Sequence, residues 1–226
     1  MVNNIWTEFA ESYDAFLCKS SLYQELINKI IKSMDSSNLV LDAGCGTGNI
    51  AIELAKKRKR VYGIDNNEAM ISYAFGKLER ELRDSVELRS GDVQNLPFPD
   101  SMFEGVVSNN VIFYVDRPKK MLQELYRVLT ERGILAISGP IRIIDYAKLI
   151  DFTIKEFEER GVYDKQLKAA TKKFIETSME LKTDGIRNTY GVQQLEDILK
   201  EIGFKKIIKA DEETYLGELY FIVAEK

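Results

Sequence analysis

The run Leu39-Val40-Leu41, closed by a glycine turn, predicts a buried parallel strand, and Ile50 to Ala55 after it are helix formers with helical apolar spacing. Val61-Tyr62-Gly63-Ile64-Asp65 reads as a second strand ending in an acid. Asn67 stands where it can cap a helix running to about Arg83, and Val86 to Arg89 is a third strand, ending at Ser90-Gly91-Asp92. Phe103 to Ser108 is a fourth, opening into Asn109-Asn110. From Pro118, residues Met121, Leu122, Leu125, Val128 and Leu129 recur at helical spacing as far as Arg132-Gly133, before a fifth strand over Ile134 to Ser138. This alternation of strand and helix predicts a doubly wound α/β domain. Gly203 to Ile208 and Gly217 to Ala224 read as two closing strands joined through an acidic turn.

Two regions fall outside the alternation. Trp6, Phe9, Tyr13 and Phe16 recur at three- and four-residue steps, as on one packed face of a helix. The stretch from Pro140 to about Tyr190 is too long for a simple connection. Its apolar residues, Tyr146, Leu149, Ile150, Phe152, Ile154 and Phe157, then Phe174, Ile175 and Met179, predict two amphipathic helices. The expected organisation is one domain over 1–226: an N-terminal helical cap (1–35), a core (36–140), a helical insertion (141–190), and a last helix with a closing hairpin (191–226).

Composition narrows the picture further. With 226 residues the chain can bury a substantial core in one domain, and 45% hydrophobic with 30% charged residues is an ordinary soluble composition. Its 32 basic and 36 acidic residues leave a net charge of -4, which offers no global attraction to nucleic acid or anionic membrane. The two cysteines, Cys18 and Cys45, make neither a disulfide nor a metal framework, and a reducing, cytoplasmic compartment is expected. No apolar stretch approaches the ~20 residues that span a bilayer. The run Lys56-Lys57-Arg58-Lys59-Arg60 suits the C-terminal end of a helix, where cations meet the dipole.

The chemistry is concentrated where the first strand turns. In Leu41-Asp42-Ala43-Gly44-Cys45-Gly46-Thr47-Gly48-Asn49, three glycines can take positive φ and let a ligand lie against the backbone at a helix N-terminus. Asp65, at the tip of the next strand, can accept hydrogen bonds from both hydroxyls of a ribose. A dinucleotide fingerprint would need a third glycine where Asn49 stands, so the spacing is D-x-G-x-G-x-G rather than G-x-G-x-x-G.

These residues resemble the class I S-adenosylmethionine-dependent methyltransferases, in which the glycine loop holds the methionine part of the cofactor. The resemblance extends through Leu96-Pro97-Phe98-Pro99-Asp100, like the family's L-P-F-x-D, and through Leu122 to Gly133, like L-x-E-x-x-R-V-L-x-x-G-G with Arg132 at the first glycine. At the N-terminus, Trp6 to Asp14 is similar to the W-x-x-x-A-x-x-Y-D opening of small-molecule methyltransferases. The likeness implies a Rossmann-like, mostly parallel seven-stranded sheet with an antiparallel C-terminal strand, and a helical insertion forming a lid over the pocket, the alternatives for the insertion being an added packing layer or a dimer contact. It implies cofactor contacts from Tyr13, Asp42, Gly44, Gly46, Gly48, Asp65, Asn66 and Met70, from Asp92 and Val93 at the adenine, and from Asn109.

The implied reaction is in-line attack of an acceptor on the sulfonium methyl, with proximity as the main catalytic resource. The chain has no histidine, and Val111-Ile112-Phe113-Tyr114 stands where relatives often carry V-L-H-H. Tyr114, Asp145 and Tyr146 are candidate substrate-facing groups, and no residue is marked as a base. The D-P-P-Y element of nucleic-acid amino-methyltransferases is missing at Ser108-Asn109-Asn110-Val111. The leading expectation is a small-molecule acceptor, with no metal, no nucleic acid and no membrane partner, in a monomer or homodimer. An RNA or peptide methyltransferase and a non-catalytic S-adenosylmethionine-binding domain are the alternatives.

Overall fold

The computed structural model describes residues 2–181 and 188–226, so residues 182–187 of the predicted insertion lie outside the described residues. Seven strands, β1 (Leu39–Ala43), β2 (Arg60–Asp65), β3 (Val86–Ser90), β4 (Phe103–Asn109), β5 (Leu129–Pro140), β6 (Lys206–Glu213) and β7 (Leu219–Glu225), form one sheet of order β3-β2-β1-β4-β5-β7-β6. The first five are parallel, and β7 runs antiparallel between β5 and β6, as expected.

Period-two alternation sends neighbouring strand residues to opposite faces. Val40, Val107, Ala136 and Val223 meet α2 (Ser21–Ser33) and α3 (Asn49–Lys56) on one face. Leu41, Val106, Leu135 and Ile222 meet α5 (Pro118–Val128) and α8 (Val192–Ile202) on the other. A third, smaller cluster joins Phe16 and Leu17, beyond α1 (Val2–Ala15), to Phe157 of α6 (Tyr146–Glu159) and to Leu167 and Phe174 of α7 (Lys165–Leu181). The predicted N-terminal cap therefore divides: α1 sides with the insertion, whereas α2 is part of the core.

Three boundaries differ from the sequence expectation. Asn67 does cap α4 (Glu68–Lys77), accepting from the Ala69 and Met70 amides, but the helix stops at Lys77 rather than near Arg83. Leu78 turns extended there and is buried at 3% exposure, so core packing overrides the helix-forming residues that follow. Helix α5 ends at Val128, because Leu129 already pairs with Phe103 and β5 begins with a register shift. Within that shift Arg132 takes φ 61°, a left-handed conformation at the position where the family pattern has glycine. Finally, β6 runs on to Glu213, and the turn into β7 places Tyr215 and Leu216 at φ 56° and 59°.

The segment resembling L-P-F-x-D is held as scaffold. The buried Glu124 accepts from the Leu96 amide at 2.9 Å, while Arg127 donates to the carbonyls of Leu96 and Phe98 at 3.0 and 2.8 Å. The hydrogen-bonded Arg127 guanidinium holds the Glu124 carboxyl down at about 2.

Candidate active site

The sheet order reverses between β1 and β4, and open α/β sheets bind ligands at the carboxyl edge of such a reversal. A cavity of about 480 Å³ opens there. Its floor comes from the β1 glycine loop, the tip of β2 at Asp65, Asn66 and Asn67, and the segment after β3 at Gly91 to Gln94. The β4 end adds Asn109 and Asn110.

Local chemistry explains the loop. Gly44, Gly46 and Gly48 take φ 81°, 49° and 76°. At Gly44 a Cβ would lie 2.2 Å from Val111 Cγ2, so both conformation and space demand glycine. The Gly44 and Cys45 amides donate to the Ile64 carbonyl at 2.7 and 3.0 Å, tying the loop to β2. Asp65 Oδ2 accepts from the Gly46 amide and Oδ1 from the Asn67 amide, both at 2.9 Å, which fixes the carboxylate at the cavity rim. Burial pushes its pKa up, and those two amides oppose the shift.

Most of the residues singled out in the sequence meet at this cavity: Tyr13, Gly44, Gly46, Asp65, Asn66, Met70, Asp92, Val93, Asn109, Tyr114 and Tyr146 all line it. Three do not. Asp42 lies beneath the loop at 1% exposure, with neither oxygen making a full hydrogen bond. Burial raises its pKa to about 7, partly offset by the Ala51 backbone amide and assisted by Asp65. Gly48 caps α3 and faces α4, where a Cβ would come within 2.9 Å of the Ala74 Cβ. Asp145 is exposed and caps α6 through the Lys148 amide at 3.0 Å, a role set by its place just before the helix.

The structure also gives roles to residues that the sequence pattern leaves without one. Asp14, directly after Tyr13, accepts from Thr47 Oγ1 at 2.9 Å and Asn49 Nδ2 at 2.8 Å and pairs with Lys77 of α4. Lys77 also donates to Asn49 Oδ1 at 2.6 Å, so α1, the glycine loop and α4 are joined by one polar network. The insertion helices wall the cavity with Tyr146, Leu149, Phe174 and Ser178, whereas Phe152 and Met179, predicted on apolar faces, are exposed. The left-handed turn before β7 delivers Tyr215 to the same wall.

The model of the methyltransferase domain family matches residues 41–137, the glycine loop to β5. Over 213 residues the chain is 30% identical to the carboxy-S-adenosyl-L-methionine synthase of Nautilia profundicola, spanning 88% of this chain and 86% of that one. The chain belongs to the class I S-adenosylmethionine-dependent methyltransferases. This methyltransferase is also 26% identical over 250 residues to the demethylmenaquinone methyltransferase of Lactobacillus johnsonii, covering 100% of the chain and 93% of the relative. In fold it is similar to magnesium protoporphyrin IX methyltransferase from Synechocystis, solved with S-adenosylhomocysteine bound, at a TM-score of 0.63 and 18% identity, covering 91% of this chain and 84% of that one.

The family's cofactor is S-adenosylmethionine, and the residues present fit it. The Gly44 cradle leaves no space for a side chain, the Asp65 carboxylate stands at the β2 tip, and the buried Asn110 Oδ1 on the cavity wall has no hydrogen-bond partner among the described residues.

Proposed function

We propose that this methyltransferase moves the methyl group of S-adenosylmethionine to a small-molecule acceptor. The supporting observation is the shape of the site: one cavity runs from the glycine loop to an aromatic enclosure made by α1, α6 and α7. Its volume, about 480 Å³, falls in the range of small-molecule sites. In this reading Asp65 holds the ribose, Asp92 and Val93 the adenine, and Gly44, Gly46 and Asn109 the methionine part, with Asn66 and Met70 beside the nucleoside and Tyr13 over the reacting end.

Bound there, S-adenosylmethionine supplies an electrophilic methyl on a good leaving group. The work of the chain is then positioning and water exclusion. Trp6, Phe9, Tyr13 and Phe174 line that end with apolar rings, and burial pushes the Tyr13 hydroxyl well above its ordinary range. Tyr13, kept neutral in this way, is not suited to taking a proton.

The basic run that invites a nucleic-acid reading is partly consumed by structure. Lys59 is 7% exposed and donates to the Ser37 carbonyl at 2.6 Å, and Lys56 pairs with Glu53 at 2.9 Å. We therefore read the partner as a small molecule rather than RNA or a membrane. We read the chain as one domain, cytoplasmic, and a monomer or homodimer.

Calorimetric titration with S-adenosylmethionine, with NAD as comparison ligand, tests the cofactor half of this reading. Saturable binding of the methyl donor alone is expected, and binding of NAD alone would overturn it. Gain of one methylene by a small acceptor tests the other half; cofactor binding with no transfer to small molecules, but transfer to RNA or peptide, would reject it.

A further inference from the structure

Where β5 and β7 part at the carboxyl edge of the sheet, a buried carboxylate stands in the fork. Pro140 pairs with Leu219 as the last rung, and the Ile141 amide donates to the Glu218 carbonyl at 3.1 Å. Beyond it one segment runs into α6, and the other comes from the turn in which Tyr215 and Leu216 are left-handed. The Glu218 side chain, in a residue 2% exposed, joins the two. Its Oε1 accepts from Arg142 Nη2 at 3.1 Å and Lys148 Nζ at 3.2 Å, and its Oε2 from the Asp145 amide at 3.3 Å. Both cations cross the fork a second time, Arg142 to the Gly217 carbonyl at 3.1 Å and Lys148 to the Leu216 carbonyl at 2.9 Å. Burial pushes the Glu218 carboxyl up, but the Asp145 amide, Lys148 and Arg142 outweigh it and hold the group below its ordinary range.

Both arms of this fork wall the cavity. Ile144, Tyr146 and Leu149 come from the α6 arm, and Tyr215 and Leu219 from the other. Consecutive left-handed residues other than glycine persist only where the surroundings over-determine them. Here Lys29 of α2 holds the turn from the core side, donating to Asp211 Oδ2 at 3.1 Å and Thr214 Oγ1 at 3.2 Å, while the bonds around Glu218 hold it from the insertion side. For stability alone, packed apolar groups would join two segments as well as a buried charge does. The ion cluster adds direction, because each donor meets the carboxylate in one geometry.

We propose that Glu218 is a positioning residue for methyl transfer: it locks the start of α6 to the turn before β7, so that Tyr146, Leu149 and Tyr215 meet the acceptor as a preformed wall. The inference rests on the small-molecule methyltransferase reading above and assigns to that site a residue that touches neither cofactor nor acceptor. A wall ordered before the acceptor arrives removes that ordering cost from binding and keeps the nucleophile aligned with the methyl group. The glycine loop and Asp65 are tied to β2 and α1 instead, so the cluster acts on the acceptor end. The far end of α6 is anchored separately, where the Ser21 amide and Oγ donate to Glu156 Oε2 at 3.0 and 2.9 Å. Loosening Glu218 therefore frees the start of the helix without detaching it.

The test titrates 2-naphthol, a flat neutral aromatic, into the full chain saturated with S-adenosylhomocysteine, with hydrogen exchange read by mass spectrometry on the same samples. The unaltered protein is expected to bind it saturably. Glu218→Gln keeps the volume and removes the charge. It is expected to weaken naphthol binding about fivefold and to speed exchange over 142–150 and 214–219 about tenfold, with S-adenosylhomocysteine affinity and exchange in β1 and β4 unchanged. Lys148→Met is expected to move the same readouts the same way by less, although Lys148 does not line the cavity, and it carries the test if Glu218→Gln does not fold. Unchanged naphthol affinity in the folded variants, no naphthol binding by the unaltered protein, or S-adenosylhomocysteine affinity lost in step with it would each overturn this inference alone. Failure of S-adenosylhomocysteine to saturate the unaltered protein would instead strike the cofactor assignment, and this inference with it.

Discussion

Asp65 is where a single side chain carries the most ligand chemistry. Its two oxygens are oriented by the Gly46 and Asn67 amides before any ligand arrives. Replacing it with alanine is expected to weaken S-adenosylmethionine binding by about 1.5–3 kcal/mol, the worth of charge-assisted hydrogen bonds. Calorimetry on folded Asp65→Ala protein checks this, and unchanged affinity would remove Asp65 from the ribose. Asp42 tests burial in place of binding. Its folded-state pKa of about 7 lies above the unfolded carboxylate value of ~3.9, so its contribution is fully present below pH ~4 and is lost as pH rises through 7. Between pH ~5 and ~8 the cofactor-free protein should therefore lose about 2–3 kcal/mol relative to Asp42→Asn. Urea unfolding of both proteins at the two pH values measures the difference, and parallel curves would mean that Asp42 is not protonated in the fold.

Among the elements, α1 depends on contacts of Asp14 whose partners the Y-D motif does not specify. Asp14 holds it to Thr47, Asn49 and Lys77, linking the cap to the glycine loop. Asp14→Asn is expected to speed S-adenosylmethionine dissociation by about tenfold and to cost about 1–2 kcal/mol of stability, because Lys77 then loses its partner in a partly buried place. Asp14→Asn with Lys77→Met should recover part of the stability, since no unpaired charge remains. Stopped-flow dissociation with unchanged rates would refute a role for Asp14 in holding α1 over the bound cofactor. The same scale shows why some boundaries were legible and others not. The glycine loop, the Asp65 strand tip and the Asn67 cap are written in neighbouring residues, so they could be read. The end of α4 at Lys77 and the early start of β5 at Leu129 follow from where Leu78 is buried and what Leu129 pairs with, which no local pattern states.

Over the whole molecule, two large apolar clusters pack the sheet faces, and a smaller third one joins α6 and α7 to the N-terminal segment. A satellite with fewer buried groups opens at lower free energy than the core. Backbone amides in α6 and α7 should thus exchange faster than those of β1, β4 and β5, and S-adenosylmethionine should slow exchange in α1 and the glycine loop. Hydrogen exchange followed by mass spectrometry reads both, and equal protection of α7 and β4 would contradict the division.

The sequence by itself determined the alternating strands and helices and the glycine-loop corner, because strand and helix periodicity, glycine spacing and a strand-end acid are local properties of the chain, whereas the seven-stranded sheet with its antiparallel closing strand was what the family resemblance implied. Eleven of the fourteen residues it singled out line one cavity, most of them because they sit at or just after strand ends that the fold brings to one edge, with Tyr13, Met70 and Tyr146 added from helices. Tertiary structure alone decided that Asp42, Gly48 and Asp145 face elsewhere, that Asp14 meets Lys77, and that Ser178, Asn110 and Tyr215 share a wall. Those outcomes depend on which way a side chain points once distant segments pack, and spacing along the chain carries no record of that.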